Sequence, residues 1–328
     1  MFSTRIADLL VGRRQAIFMA GGALAGAAAF GSSAPKTFGR MPLDFDIPRD
    51  NLYSFGKLFG TFGPEAVYPT FRGVCFASIG DAALRPLFGY QGMTTLRMDL
   101  LPNGHLRWWG KEIAFYTDLV TGQPLDVWTN PYTGERCEVM HFLNNRQLIE
   151  LTDRMPTISF PDDPKAAAGG PQGAANRKDP GAFVLPWFRQ DDMLQMTLEH
   201  MLRYRNPLDP GVWRKESTGQ FINPAEHYMF FGSVGELEDR SRHSAHFTGG
   251  FMRVAPWFPW MMMGQVPGVL TIRAYMWKRT FGLDNVPAGI RDHVAQRYPE
   301  FLKVPTEWST TPNPSSWEMF RESRQPAR

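Results

Sequence analysis

The sequence is short of cysteine, of charge of one sign and of long apolar runs, and each shortage excludes something. Only Cys75 and Cys137 occur in 328 residues, so there is no disulfide framework of the kind that staples small secreted folds. Export would still permit one bridge, but both cysteines sit in apolar, strand-like runs where a thiol is commonly just buried. The formal net charge is +3, and it falls to +1 when Arg5, Arg13, Arg14 and Asp8 of the first 34 residues are set aside. No basic field remains to steer nucleic acid or an anionic membrane. Beyond the N-terminus no apolar run reaches the ~20 residues that a membrane-spanning helix needs. Catalytic signatures are missing too: there is no G-x-S-x-G elbow, no P-loop, no G-x-G-x-x-G after a strand and no HExxH. Of the seven histidines, His243 with His246, and His227 beside Glu226, are the close groupings. In a strand His243 and His246 point to opposite faces, so they do not ligate jointly. The sequence therefore implies no cofactor and no metal.

What is present begins with the N-terminus. Residues 1–34 carry Arg13-Arg14, a Gly/Ala-rich apolar stretch to Phe30, and Ser32-Ser33-Ala34. That is the charged, apolar and small-residue order of a twin-arginine signal peptide. The apolar run is too short to span a bilayer comfortably, which leaves an uncleaved anchor as the alternative. The expectation is export by the twin-arginine translocase to the periplasm, followed by one β-rich domain over 35–328.

That domain holds most of the 27 prolines, 31 glycines and 13% aromatics, the composition of many strands joined by turns. A helix is expected from Pro48, with Leu52, Phe55, Leu58 and Phe59 on one face. Strands follow at 66–78, 87–100, 105–118, 125–129 and 136–142. They are separated by turn chemistry such as Pro102-Asn103-Gly104 and Thr121-Gly122. Residues 161–181 lack aromatics and periodicity and read as a flexible surface loop. Strands resume at 182–188, 193–204, 219–231, 244–254 and 268–279. A helix at 286–304 and a surface-wrapping tail from Pro305 complete the chain. No βαβ alternation is visible, and loops this short favour antiparallel hairpins. The expected fold is mainly β: a closed or nearly closed, lipocalin-like antiparallel barrel of about ten strands with peripheral helices. A two-sheet sandwich, or an α+β cone with helices filling a curved sheet, are the alternatives.

The strand faces mix aromatic with ionisable side chains. Glu112, Ala114, Tyr116 and Asp118 share one face; Leu194, Met196, Leu198, His200, Leu202 and Tyr204 share another; Thr271, Arg273, Tyr275 and Trp277 share a third. A barrel lumen lined in this way is a ligand cavity.

Residues 105–145 then hold a specific string, HLRWWGKEIAFYTDLVTGQPLDVWTNPYTGERCEVMHFLNN. Glu112, Tyr116, Asp118, Thr121, Gly122, Leu125, Trp128 and Asn130-Pro131-Tyr132-Thr133-Gly134 resemble the signature of the domain-of-unknown-function 1838 family. AEHYMFFG at 225–232 and the run from Pro256 to Lys278 are similar to that family as well. The resemblance spans the mature chain and implies a family without a general activity. The Asp118 and Asn130 segments read as turns, whereas turns do not require Glu112, Tyr116 or Trp128.

The functional reading is an exported protein that binds a small hydrophobic or aromatic molecule, acting as a cofactor-free lyase or isomerase. Glu112, Tyr116, His141, His227 and Arg273 are the catalytic candidates, because a Glu or His in an apolar lumen is pushed toward a neutral pKa and an Arg or Tyr steadies developing negative charge. Trp108, Trp128, Tyr132, Arg203, Glu226, Tyr228, Trp257, Trp260 and Tyr275 are the candidate binding residues. A non-catalytic periplasmic carrier and a partner-binding structural protein are the alternatives, and a homo-oligomer is compatible with either.

Overall fold

Helix α1 (Pro48–Phe59) is the element around which the sheet is built. Proline at its first position suits a start where no backbone N–H is needed. Every residue from Asn51 to Phe59 is buried, so this is a core helix and not a peripheral one. The computed structural model describes residues 41–155, 181–309 and 314–327. The expected leader and nearly all of the 161–181 segment lie outside the described residues. Among those described, no helix is long and apolar enough to cross a membrane.

Among the described residues thirteen strands follow α1. In chain order β1 is Thr70–Ser78, β2 Arg85–Leu100, β3 Leu106–Thr117, β4 Val127–Thr129, β5 Arg136–Glu138, β6 Phe142–Leu151 and β7 Trp187–Gln190. The rest are β8 Met193–Met201, β9 Tyr204–Arg205, β10 Phe221–Ile222, β11 Ala225–Ser233, β12 Phe247–Ala255 and β13 Val269–Lys278. Nine of them form one antiparallel sheet in the order β6-β3-β2-β1-β13-β12-β11-β8-β7. The pairs β9–β10 and β4–β5 stand apart from it. Helix α2 (Val234–Glu238) follows β11; α3 (Ala288–Arg297) and α4 (Ser316–Ser323) follow β13.

This is mainly antiparallel β, but the sheet does not close into a barrel: β6 and β7 are its two ends. The expected strand at 136–142 splits into β5 and the separate, longer β6, and β6 becomes an edge. No second large sheet faces the first among the described residues. The curvature is nonetheless strong. The Phe59 ring lies 5.2 Å from Trp108 on β3, 5.6 Å from Phe230 on β11 and 5.9 Å from Phe247 on β12. In a flat sheet β3 and β11, five strand spacings apart in this order, would be ~24 Å from each other. One ring touches both because the sheet curls around α1. Helix α1 thus lies inside the curve of this open antiparallel sheet.

Buried polar groups fasten α1 in place. Lys278 is fully buried, and its Nζ donates to the carbonyls of Lys57 and Gly60 and to Ser244 Oγ, at 3.1, 2.6 and 2.7 Å. It thereby satisfies carbonyls that the end of a helix leaves without partners. At the other end of α1, the Asn51 side chain bonds the carbonyls of Phe45 and Leu185 and the Leu185 N–H. Phe183 follows the same path onto the helix, 5.9 Å from Phe55. A second, smaller apolar layer covers the outer face, where Ile290 and Val294 of α3 and Phe301 pack on Met93, Ile113 and Phe115.

The far end of the inner face is closed by the 3-10 turn Pro259–Met261 and by α4. Trp260 lies 5.3 Å from both Phe88 and Tyr116, and Phe258 lies 5.7 Å from Trp317. The tail from Pro305 therefore does not simply wrap the surface. Ser315 and Glu318 form a capping box that starts α4, and Trp317 and Phe320, three residues apart on one helix face, enter the core. The two cysteines are both buried and both free.

Candidate active site

Between the α1 packing and the Trp260 packing, the inner face carries a polar layer. Strand periodicity puts Leu106, Trp108, Gly110, Glu112, Ala114 and Tyr116 of β3 on this face. The ends of that series are aromatic and packed, while its middle holds Glu112 between Gly110 and Ala114. The neighbouring positions are also small: Gly92 is opposite Ala114, and Gly73 is opposite Ala274. Small residues at the centre of the curled sheet let neighbouring side chains lie close over the backbone: the Phe71 ring sits over Gly92, and the Trp108 indole over Gly110.

Glu112 accepts a 2.8 Å hydrogen bond at Oε2 from Gln147 Nε2 on β6. Burial pushes its carboxyl up to about 7, the Glu226 charge adds to the rise, and Gln147 and Arg253 oppose it. Across the curl lie Glu226 and Tyr228 of β11, Arg253 of β12 and His200 of β8. Arg253 pairs in register with Glu226, and Glu226 with His200. Arg253 Nε is 3.4 Å from Glu226 Oε1, His200 Nδ1 is 3.7 Å from Glu226 Oε2, and Tyr228 donates its O–H to Glu226 Oε2 at 3.1 Å. Burial alone would raise the Glu226 carboxyl. The Arg253 guanidinium, helped by His200 and Tyr228, outweighs it and holds Glu226 below the ordinary carboxylate value. Burial also keeps the phenols of Tyr90, Tyr116 and Tyr228 protonated, so they act as donors. The layer is enclosed but not sealed: the side chains of Glu226, Arg253 and His200 keep 15%, 17% and 22% of their surface accessible.

Of the residues singled out in the sequence, Glu112, Tyr116, Glu226 and Tyr228 come together here. Others do not. His227 faces the opposite side of β11 and pairs with Glu199 at 2.9 Å. Arg273 and Tyr275 face outward on β13; Arg273 lies 6.0 Å from the Phe76 ring, and the Tyr275 hydroxyl accepts from Arg279 at 2.8 Å. Arg203 is exposed, stacked 4.1 Å over Phe221. His141 sits past the end of β5, where its Nδ1 accepts the Tyr116 backbone N–H at 3.2 Å and burial lowers its pKa to about 4. It is a neutral ring with one nitrogen committed, beside a crevice of about 10 Å³, the size of one water. Trp108 packs against α1, Trp257 is core, and Trp128 and Trp260 pack with Phe88, so these four rings form end walls. Tyr132 lies under the Arg85 guanidinium at 5.2 Å, in the 130–134 turn.

Arg253, Tyr90 and His200 belong to this polar layer and were not among the sequence's candidate site residues. Arg253 had a readable signal, since it interrupts the otherwise apolar or small face Phe247, Gly249, Phe251, Ala255 of its strand. A separate outer-face cleft of about 200 Å³ collects Arg72, Gln91 and His293 and none of the predicted residues. Among the described residues no three His, Cys, Asp or Glu gather as a metal site.

The signature string now divides by role. Asp118 Oδ1 accepts from Val120 N, Thr121 N and Thr121 Oγ, and Gly122 follows at φ +69, a left-handed turn. Buried Asn130 bonds the Met261 carbonyl at 2.7 Å and, through Oδ1, the Tyr132 N–H. Trp128 and Asn130 thus hold the Pro259–Met261 closure in place, while Glu112 and Tyr116 face the polar layer. The sequence matches, over residues 64–324, the family described as protein of unknown function (DUF1838). The chain belongs to the DUF1838 family. No curated protein matches it. For this DUF1838 chain, the signature therefore combines two turn-and-closure devices with one buried acid.

The Glu112 environment predicts a pH signature in stability. A carboxyl raised on folding favours the fold while protonated; that contribution is complete below about 4.5 and is lost as pH climbs through about 7. Relative to Glu112→Gln, the wild type is expected to lose on the order of 3 kcal/mol of unfolding free energy between those limits. Urea midpoints measured across that range test this, and parallel curves for the two proteins would contradict it.

Proposed function

We propose that the DUF1838 chain binds a small aromatic molecule in the inner-face layer and catalyses a cofactor-free lyase or isomerase step there, with Glu112 as the general acid/base. One observation carries the reading: a carboxyl brought to about 7 stands on the inner face across from a guanidinium and several protonated phenols. A group with that pKa both takes and returns a proton near neutrality. As carboxylate, Glu112 removes a proton from a carbon acid. The electron pair moves onto a conjugated oxygen, where Arg253 and the Tyr116 O–H stabilise the charge. Glu112 then returns the proton to another carbon, or a leaving group departs. The aromatic walls, Phe251 4.7 Å from Tyr228 and 6.4 Å from Tyr90, favour a flat apolar substrate.

Turnover of a panel of aromatic compounds tests this. Glu112→Gln should lower kcat by ~10²–10⁴-fold while ligand still binds. His227→Gln, altered on the outer face, should match the wild type. Wild-type activity should rise as pH climbs through about 7, because the carboxylate is the reacting form. A ligand that binds and leaves unchanged in every case would remove catalysis and leave a carrier.

The same reading places the protein in the periplasm, exported through the twin-arginine translocase by residues 1–34. Support comes from Arg13-Arg14 and the short apolar run behind them. Replacing both arginines by lysine should leave the protein in the cytoplasmic fraction. Undiminished recovery from the periplasmic fraction would overturn the route.

A further inference from the structure

We propose that Arg253 is the anchor for a carboxylate carried by the ligand, so that the substrate class is an aromatic carboxylate; this rests on the inner-face layer being the binding site. A guanidinium presents five N–H donors in a planar fork and needs acceptors in that plane. Among the described residues no protein acceptor hydrogen-bonds Arg253. Its Nε is shut off from solvent without a partner, and the 3.4 Å approach of Glu226 Oε1 is an ion-pair distance without hydrogen-bond alignment. Glu226 is shared as well, taking the Tyr228 O–H at 3.1 Å and facing His200 at 3.7 Å.

The groups around Arg253 do not supply the missing acceptor. Tyr116 and Tyr90 are buried phenols held in the protonated form, and neither accepts a hydrogen bond from the guanidinium. The Phe258 ring stands 5.7 Å from the guanidinium carbon and packs against Tyr116 at 5.5 Å, which limits how the fork can turn. Where buried Lys278 donates to three protein acceptors, Arg253 makes no hydrogen bond to protein among the described residues, and its Nε is buried without a hydrogen-bond partner. A carboxylate fills the fork with two parallel hydrogen bonds, whereas a neutral amide offers a single acceptor oxygen. The flanking rings then take the flat body of the same molecule.

The test compares matched probes on the folded full chain by calorimetric titration: benzoate against benzamide, and cinnamate against cinnamamide. The wild type should bind each acid at least ~10-fold more tightly than its amide. In Arg253→Gln combined with Glu226→Gln, which removes the ion pair without stranding either charge, that preference should vanish while the amide affinity is kept. Circular dichroism establishes that the variant is folded; Arg253→Lys, which retains charge without the fork, should keep part of the preference. Equal affinity for acid and amide in the wild type overturns the carboxylate anchor and leaves the aromatic site standing. A preference that survives in the double variant also overturns it. Binding of none of the four probes overturns both the anchor and the aromatic site.

Discussion

The curl of one antiparallel sheet around a buried helix is the constraint on which the rest depends. Phe55 and Phe59 of α1 reach strands that a flat sheet would hold far apart, touching Trp108 on one wall and Phe230 on the other. Burying several large aromatic side chains in this way contributes ~1.5–3 kcal/mol each, enough to bend a sheet whose own hydrogen bonds tolerate twist. Lys278 makes the arrangement specific by bonding the carbonyls at the helix end from the strand beneath it. Because the helix fills the curl and Asn51 clasps the 181–186 segment, the sheet can end at β6 and β7 without closing.

Between the apolar helix end and the tryptophan end lies a middle layer that is polar. There the backbone floor is glycine and alanine, and the walls bring Glu112, Glu226, Arg253 and tyrosines within electrostatic reach of one another. The two carboxyls behave differently for one reason. Glu226 has a guanidinium at ion-pair distance and is held charged; Glu112 has only an amide donor and drifts toward neutrality. Two acids driven apart by their surroundings are what acid/base chemistry requires. The family signature serves both parts: Asn130 and Trp128 build the closure, and Glu112 and Tyr116 occupy the space that it delimits.

Much of this was legible because strand parity is strict. The face that places Glu112 with Tyr116, and Leu194 with His200, is read from alternation alone, and the 12-residue helix at Pro48 from the helical spacing of Leu52, Phe55, Leu58 and Phe59. The same parity should have separated His227 from Glu226 and Tyr228, since adjacent residues on a strand cannot share a face. What alternation does not reveal is which of two mixed faces is inside. Arg273 with Tyr275 resembles a pocket lining, and its partner face Leu270, Ile272, Ala274, Met276 turns out to line the interior. Barrel closure was illegible for a similar reason: strand count does not reveal that a helix takes the lumen. Phe142–Leu151 was missed as a strand because Asn144, Asn145 and Arg146 interrupt its apolar pattern at the bulge opposite Gly110 and Glu112. The helix at Ser316 lay hidden in a Pro- and Ser-rich tail although its capping box could have announced it.

The central proposal is that the inner-face layer between Arg253 and Glu112 takes up a small ligand. A high-resolution crystal structure measures that directly. The account predicts ordered waters or a bound small molecule in density between the two side chains, with the Arg253 Nη atoms bonded to it. Density in which the Arg253 Nη atoms are bonded to protein groups, with nothing else between Arg253 and Glu112, would contradict it.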